Sequence, residues 1–221
     1  MRNVLQVDSG ELVSIPAGNV VLEGNLAIPD NARGVVLFAH GSGSSRYSSR
    51  NRFVAKQLNR GGLATLLMDL LSAEEEAVDL RTAELRFDIS LLAQRLVSAI
   101  RWLRDNPDTS RFPVGIFGSS TGGGAALVAA AAEPDYVKAV VSRGGRPDLA
   151  GAALAQVEAP TLLIVGGYDA QVIELNREAF EELRCEKTIE IVPGATHLFE
   201  EPGALEEVSK LARNWFALHF A

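Results

Sequence analysis

Short runs of consecutive apolar residues alternate along this chain with segments whose apolar positions recur every three or four residues. Residues 34–39, 64–70, 114–117, 137–141 and 160–165 are nearly continuous in Val, Ile, Leu, Phe and Ala, and Gly, Pro or Asp bounds them. That is the pattern of strands buried on both faces. Residues 188–192 read as a last strand, and residues 11–16 and 20–28 as a hairpin turning at Ala17-Gly18-Asn19. Between the strands, residues 51–60 form a helix stopped by Gly61-Gly62. Apolar positions 85, 89, 92, 96, 100 and 103 predict a longer helix that Asn106-Pro107 ends. An alanine-rich helix runs up to Pro134, another spans 172–183, and Leu205, Val208, Ala212, Trp215 and Leu218 mark an amphipathic helix near the end of the chain. The acidic stretch 72–79, with Glu74-Glu75-Glu76, reads as irregular, solvated surface with a possible lid role.

Strand and helix alternate after the opening hairpin. This predicts an α/β fold with a mostly parallel, doubly wound sheet and helices on both faces. No linker, repeat or low-complexity tract divides the chain, so residues 1–221 are expected to form a single domain. The stretch between residues 141 and 160 is too short for more than a small cap.

Composition narrows the function. A chain of 221 residues with 47% apolar and 22% charged residues supports a full core. The net charge of −7 argues against nucleic-acid and anionic-membrane partners and leaves a small-molecule substrate. Cys185 is the single cysteine, which excludes an internal disulfide. Only three histidines are present and no His/Cys spacing of the zinc type occurs, so no metal site is expected. No run approaches the length of a membrane span, and residues 1–8 lose apolar character too early for a signal peptide. A cytoplasmic location is the expectation. The oligomeric state is left open.

The chemistry centres on Gly118-Ser119-Ser120-Thr121-Gly122, set between a strand and a helix. Gly-x-Ser-x-Gly in that position is a nucleophile elbow, a sharp turn that lifts the serine hydroxyl clear of the sheet. Ser119, the neighbouring candidate, lacks glycines at both two-residue offsets. A serine needs a base, and the base needs an orienting acid. Asp169 follows the strand 160–165 and His197 follows the strand 188–192, both where an open parallel sheet collects its functional groups. Asp169 as a helix N-cap and His197 as a surface loop residue are the competing roles, and Glu174 is the second-choice acid. His40-Gly41-Ser42-Gly43 follows a central strand and predicts an oxyanion loop. The donors are expected to be the Thr121 N–H and one from Gly41 or Ser42, with Ser42 favoured. A dinucleotide loop is the rival reading of Gly41-x-Gly43, but the third glycine of that fingerprint falls at Arg46. Arg143 or Arg146, at the end of a strand, is a candidate for binding an anionic substrate group, against a structural ion pair, and Arg46 and Arg50 carry the same ambiguity. His40 is read as structural or loop-orienting, and His219 and Cys185 as chemically idle.

These residues, the His40-Gly41-Ser42-Gly43 loop, the elbow, Gly167-Tyr168-Asp169 and Gly194-Ala195-Thr196-His197, resemble those of the α/β-hydrolase superfamily. Within it the chain is similar to small dienelactone-hydrolase-like members over nearly its whole length. The resemblance implies an α/β-hydrolase fold and a triad of Ser120, Asp169 and His197. True dienelactone hydrolases use a cysteine nucleophile. The serine here implies a cofactor-free hydrolase of small esters, lactones or thioesters rather than of dienelactone itself. A small peptidase or acyltransferase with the same triad, and a catalytically silent binding scaffold, are the alternatives.

Overall fold

A computed structural model describes residues 10–221, so the opening stretch 1–8 read above for a signal lies outside the described residues. Eight strands form one sheet in the order β1-β2-β4-β3-β5-β6-β7-β8. They are β1 (Glu11–Ala17), β2 (Val20–Ala27), β3 (Val35–Ala39), β4 (Ala64–Met68), β5 (Val114–Ser119), β6 (Val137–Arg143), β7 (Thr161–Gly166) and β8 (Lys187–Val192). β1 pairs with β2, and β2 with β4, antiparallel; every later pairing is parallel. The expected hairpin and mostly parallel sheet are both present.

Six α-helices pack around it: α1 (Ser49–Arg60), α2 (Ala73–Thr82), α3 (Ile89–Asp105), α4 (Thr121–Ala132), α5 (Ala170–Glu182) and α6 (Ala204–His219). Two apolar clusters fill the two faces of the sheet. One joins α3 and α4 to the sheet; the other joins α1 and α6 to the opposite face, through Val36, Phe38, Phe117, Val141 and Phe216. Every residue of β3, β4, β5 and β7 is buried, which is why these strands read as unbroken apolar runs rather than alternating ones. No helix among the described residues is long and apolar enough to cross a membrane.

Three expectations are corrected. Residues 72–79 are not irregular: Ser72 accepts from the Glu75 N–H while the Glu75 carboxylate accepts from the Ser72 N–H, a capping box that starts α2. The three glutamates sit in its first turn, where the helix dipole favours negative charge. The helix expected from Leu85 begins at Ile89 instead. Asp88 caps it by accepting from the Leu91 N–H, and Leu85–Phe87 forms a separate 3-10 turn. In α6 Leu218 is 63% exposed, and the buried stripe is Ala204, Val208, Ala212 and Phe216.

Candidate active site

The elbow is built by backbone crossing backbone. A Cβ at Gly118 would lie 2.6 Å from the Gly122 carbonyl oxygen, and one at Gly122 would lie 2.3 Å from the Ala39 carbonyl oxygen. No side chain fits at either position without moving main chain. α4 carries Gly122, Gly123 and Gly124 in its first turn, where each glycine costs ~1 kcal/mol relative to alanine. Close packing is the reason they are there: a Cβ at Gly123 would meet Ser142 Oγ at 2.6 Å, and one at Gly124 the Arg146 carbonyl oxygen at 2.7 Å. Between β5 and α4, Ser120 takes φ 51° and ψ −125°. A non-glycine residue held there costs on the order of 1–3 kcal/mol, strain that the surrounding contacts sustain. Its carbonyl accepts from the Gly123 and Arg146 N–H groups at 2.9 and 3.0 Å. Ser119 is buried and donates to Asn51 Oδ1 at 3.0 Å, so its hydroxyl is committed to structure.

Asp169 and His197 meet because their loops pack main chain to main chain. Gly167 N–H donates to the Val192 carbonyl and Tyr168 N–H to the Ala195 carbonyl, both at 2.9 Å. A Cβ at Gly166 would lie 2.5 Å from the Ala195 carbonyl oxygen. Asp169 stands at the N-cap position of α5, yet its side chain makes no capping bond. Its carboxylate instead receives His197 Nδ1 at 2.6 Å. The choice between cap and partner is thereby decided in favour of the partner. Glu174, the other acid considered, is paired with Arg177 on the surface.

Ser120, His197 and Arg143 line one cavity with Gly41, Ser42 and Asn51. Among the described residues no hydrogen bond joins Ser120 Oγ to His197, and Nε2 is the ring nitrogen left without a partner. Catalytic hydrogen bonds of ligand-free sites are often long and tighten only with substrate.

The loop after β3 is held from behind by His40. This ring is half-buried, and desolvation lowers its pKa, against the raising effect of its bond to Gly41. Nδ1 bonds the Gly41 carbonyl at 2.9 Å, and Nε2 accepts from the Leu70 N–H at 3.1 Å. The two partners assign the neutral tautomer with the proton on Nδ1. His40 is therefore the loop-orienting residue expected above. A folded state that disfavours protonation loses stability to acid: as pH falls below the unfolded value of about 6.5, the unfolded chain binds a proton that the folded chain resists. Urea unfolding at successive pH values should show this loss below about pH 6.5, and His40→Gln should remove that part of the acid slope. Identical slopes in the two proteins would contradict the assignment.

Ser42 N–H, expected to face the substrate, donates to Thr121 Oγ1 at 2.9 Å. Of the arginines, Arg146 pairs with Asp148, and Arg46 with Asp69 and Glu23. Arg50 pairs with Glu200 at 2.8 Å. Arg143 is different. It is 6% exposed, its Nε has no hydrogen-bond partner, and no ion pair joins it to a carboxylate among the described residues. Its contacts are a long bond of 3.4 Å to Asn51 Oδ1 and the face of Phe199, 5.6 Å from the ring centroid. Burial, aided by the nearby Arg50 charge, lowers its pKa to about 10, which leaves it protonated at neutral pH. Asn51 was missed by sequence reading, since nothing in a helix-borne asparagine signals a role beneath an elbow.

The sequence model of the Dienelactone hydrolase family matches residues 22–217. A crystal structure of dienelactone hydrolase from Anabaena variabilis is 64% identical, with TM-score 0.93 over 95% of this chain and 97% of that one. Est1E from Butyrivibrio proteoclasticus, 16% identical, shares the fold with TM-score 0.78 over 94% of this chain and 98% of its own. Two Mycobacterium tuberculosis proteins provisionally named phosphoribosyl transferases are 57% identical over 209 residues, which is 95% of this chain and 46% of theirs. The chain thus spans about half the length of the curated relatives it matches.

Proposed function

The chain belongs to the dienelactone hydrolase family, and on that premise we propose that it is a serine hydrolase of small esters, lactones or thioesters. In this reading Ser120 is the nucleophile, His197 the general base and Asp169 its orienter. The observation that carries it is the Asp169 carboxylate on His197 Nδ1 at 2.6 Å, beside a cavity that His197 shares with Ser120. Held this way, His197 keeps its proton on Nδ1 and offers the Nε2 lone pair. Ser120 Oγ attacks the carbonyl carbon, its proton passes to Nε2, and the carbonyl π pair moves onto oxygen. Collapse expels the alcohol or thiol with the proton from Nε2. Water, deprotonated by the same nitrogen, then releases the acid and regenerates Ser120. The phosphoribosyl transferase name stays with the longer relatives, of which this chain matches 46%.

A fluorophosphonate probe tests the reading. It should label the protein stoichiometrically, with the adduct on the peptide that contains Ser120. An adduct elsewhere, or no labelling of folded protein, would refute it.

Arg143 supports a narrower substrate class. A buried guanidinium without a counter-ion is costly unless something supplies one, and the cavity it lines is the one Ser120 occupies. The reading is that a carboxylate or similar anionic group of the substrate fills this place. Arg143→Met should lower kcat/KM for a carboxylated ester by about 10²-fold while a neutral ester of equal size changes by less than about 3-fold. Equal losses for the two esters would remove the claim.

A further inference from the structure

Resting on the hydrolase reading, we propose that the Thr121 side chain, and not the Ser42 amide, is the direct oxyanion donor from the loop side. Three observations meet at this hydroxyl. First, the Ser42 N–H is already spent on Thr121 Oγ1 at 2.9 Å, across 79 positions of sequence. Second, that amide is not free to turn away. The Gly41 carbonyl of the same peptide unit accepts from His40 Nδ1 at 2.9 Å and from the Ser44 N–H at 3.2 Å. In a trans peptide the N–H points opposite to the carbonyl, and the described residues contain no cis bond. The clamp on Gly41 therefore fixes the Ser42 N–H onto Thr121. Third, Thr121 is 4% exposed and directly follows Ser120 as the first residue of α4.

A hydroxyl accepts and donates at once. With one lone pair accepting from the Ser42 N–H, Thr121 Oγ1 keeps its one proton, and no acceptor for it occurs among the described residues. Thr121 Oγ1 lies one hydrogen bond from Ser42, which lines the cavity with Ser120, and the charge that develops beside Ser120 Oγ is the acceptor this proton lacks. The Thr121 main-chain N–H is the first of its helix and has no carbonyl one turn before it. One residue then offers two donors, an amide and a hydroxyl, and Ser42 stands behind the hydroxyl, polarising it as in any donor chain.

Three variants separate this arrangement from a direct Ser42 contact. Thr121→Val keeps the shape and deletes the hydroxyl. It should lower kcat by about 10²- to 10³-fold, the loss typical of one oxyanion donor, with KM within about 3-fold. Affinity for a trifluoromethyl ketone, whose hemiketal carries the oxyanion, should fall by a similar factor. Thr121→Ser should restore most of both losses. Thermal midpoints show that the variants are folded, and a merely structural role would not move kcat and the ketone affinity together in Thr121→Val and return them in Thr121→Ser. If Ser42 were the direct donor, Thr121→Val and Thr121→Ala would unmask its N–H, and kcat would hold or rise; that result overturns the proposal while Ser120 labelling survives. A wild-type protein that neither labels nor turns over any ester overturns the hydrolase reading instead, and this inference with it.

Discussion

Replacing Ser120 by alanine is expected to lower kcat on a small p-nitrophenyl ester by on the order of 10⁶ and to abolish fluorophosphonate labelling. The magnitude follows from what is lost: without the hydroxyl no covalent intermediate forms, and only binding and oxyanion donors remain to assist attack by water. The variant should fold, because alanine keeps the Cβ and the same main-chain conformation at φ 51°. The glycine contacts that shape the turn lie at Gly118 and Gly122 and do not involve the hydroxyl. Ser119→Ala is the control. Its hydroxyl is bound to Asn51, so its loss should leave labelling intact. Labelling that survives in Ser120→Ala and disappears in Ser119→Ala would reverse the assignment.

Asp169→Asn is expected to cost about 10⁴ in kcat with little change in KM, the size seen when a triad base loses its carboxylate. The amide keeps the shape but brings no negative charge to stabilise the imidazolium. Its NH₂ can also donate to Nδ1, which moves the ring proton to Nε2 and removes the lone pair that Ser120 needs. Glu174→Gln should leave rates within about 2-fold, since an exposed pair with Arg177 contributes little. A loss from Glu174→Gln comparable with that of Asp169→Asn would mean that the acid has been misassigned.

The sheet was legible because strands covered on both faces carry unbroken apolar runs. The candidate nucleophile and acid were legible because Ser120 and Asp169 come just after such runs, in β5 and β7; the candidate base, His197, was legible from its place in the loop after the partly exposed edge strand β8. What stayed hidden depends on contacts between distant parts of the chain. Arg143 and Arg146 are three residues apart and alike in sequence; the structure pairs Arg146 with Asp148 and leaves Arg143 buried without an acid. The nearby Asp148 was a local clue to that outcome. The Ser42 bond to Thr121 joins a loop to the start of α4 across 79 residues and leaves no trace in spacing. α2 was missed for another reason. Its residues are mostly exposed, so apolar periodicity is faint, and the Ser72-x-x-Glu75 capping box was the signal that carried it. In α6 the tally of apolar residues chose Trp215 and Leu218, whereas the packed ridge runs four residues at a time and ends at Phe216.

The elbow confines its steric demands to the residues that flank the serine. A Cβ at Gly118 or Gly122 would fall 2.6 or 2.3 Å from a main-chain oxygen, while the side chain at position 120 lines the cavity. If Ser120 attacks as proposed, the scaffold fixes where its attacking atom stands through main-chain contacts at Gly118 and Gly122, none of which falls on that atom itself. A sulfur in place of that oxygen would inherit the same perch and the same neighbours, so one codon separates two nucleophilic chemistries on an unaltered frame.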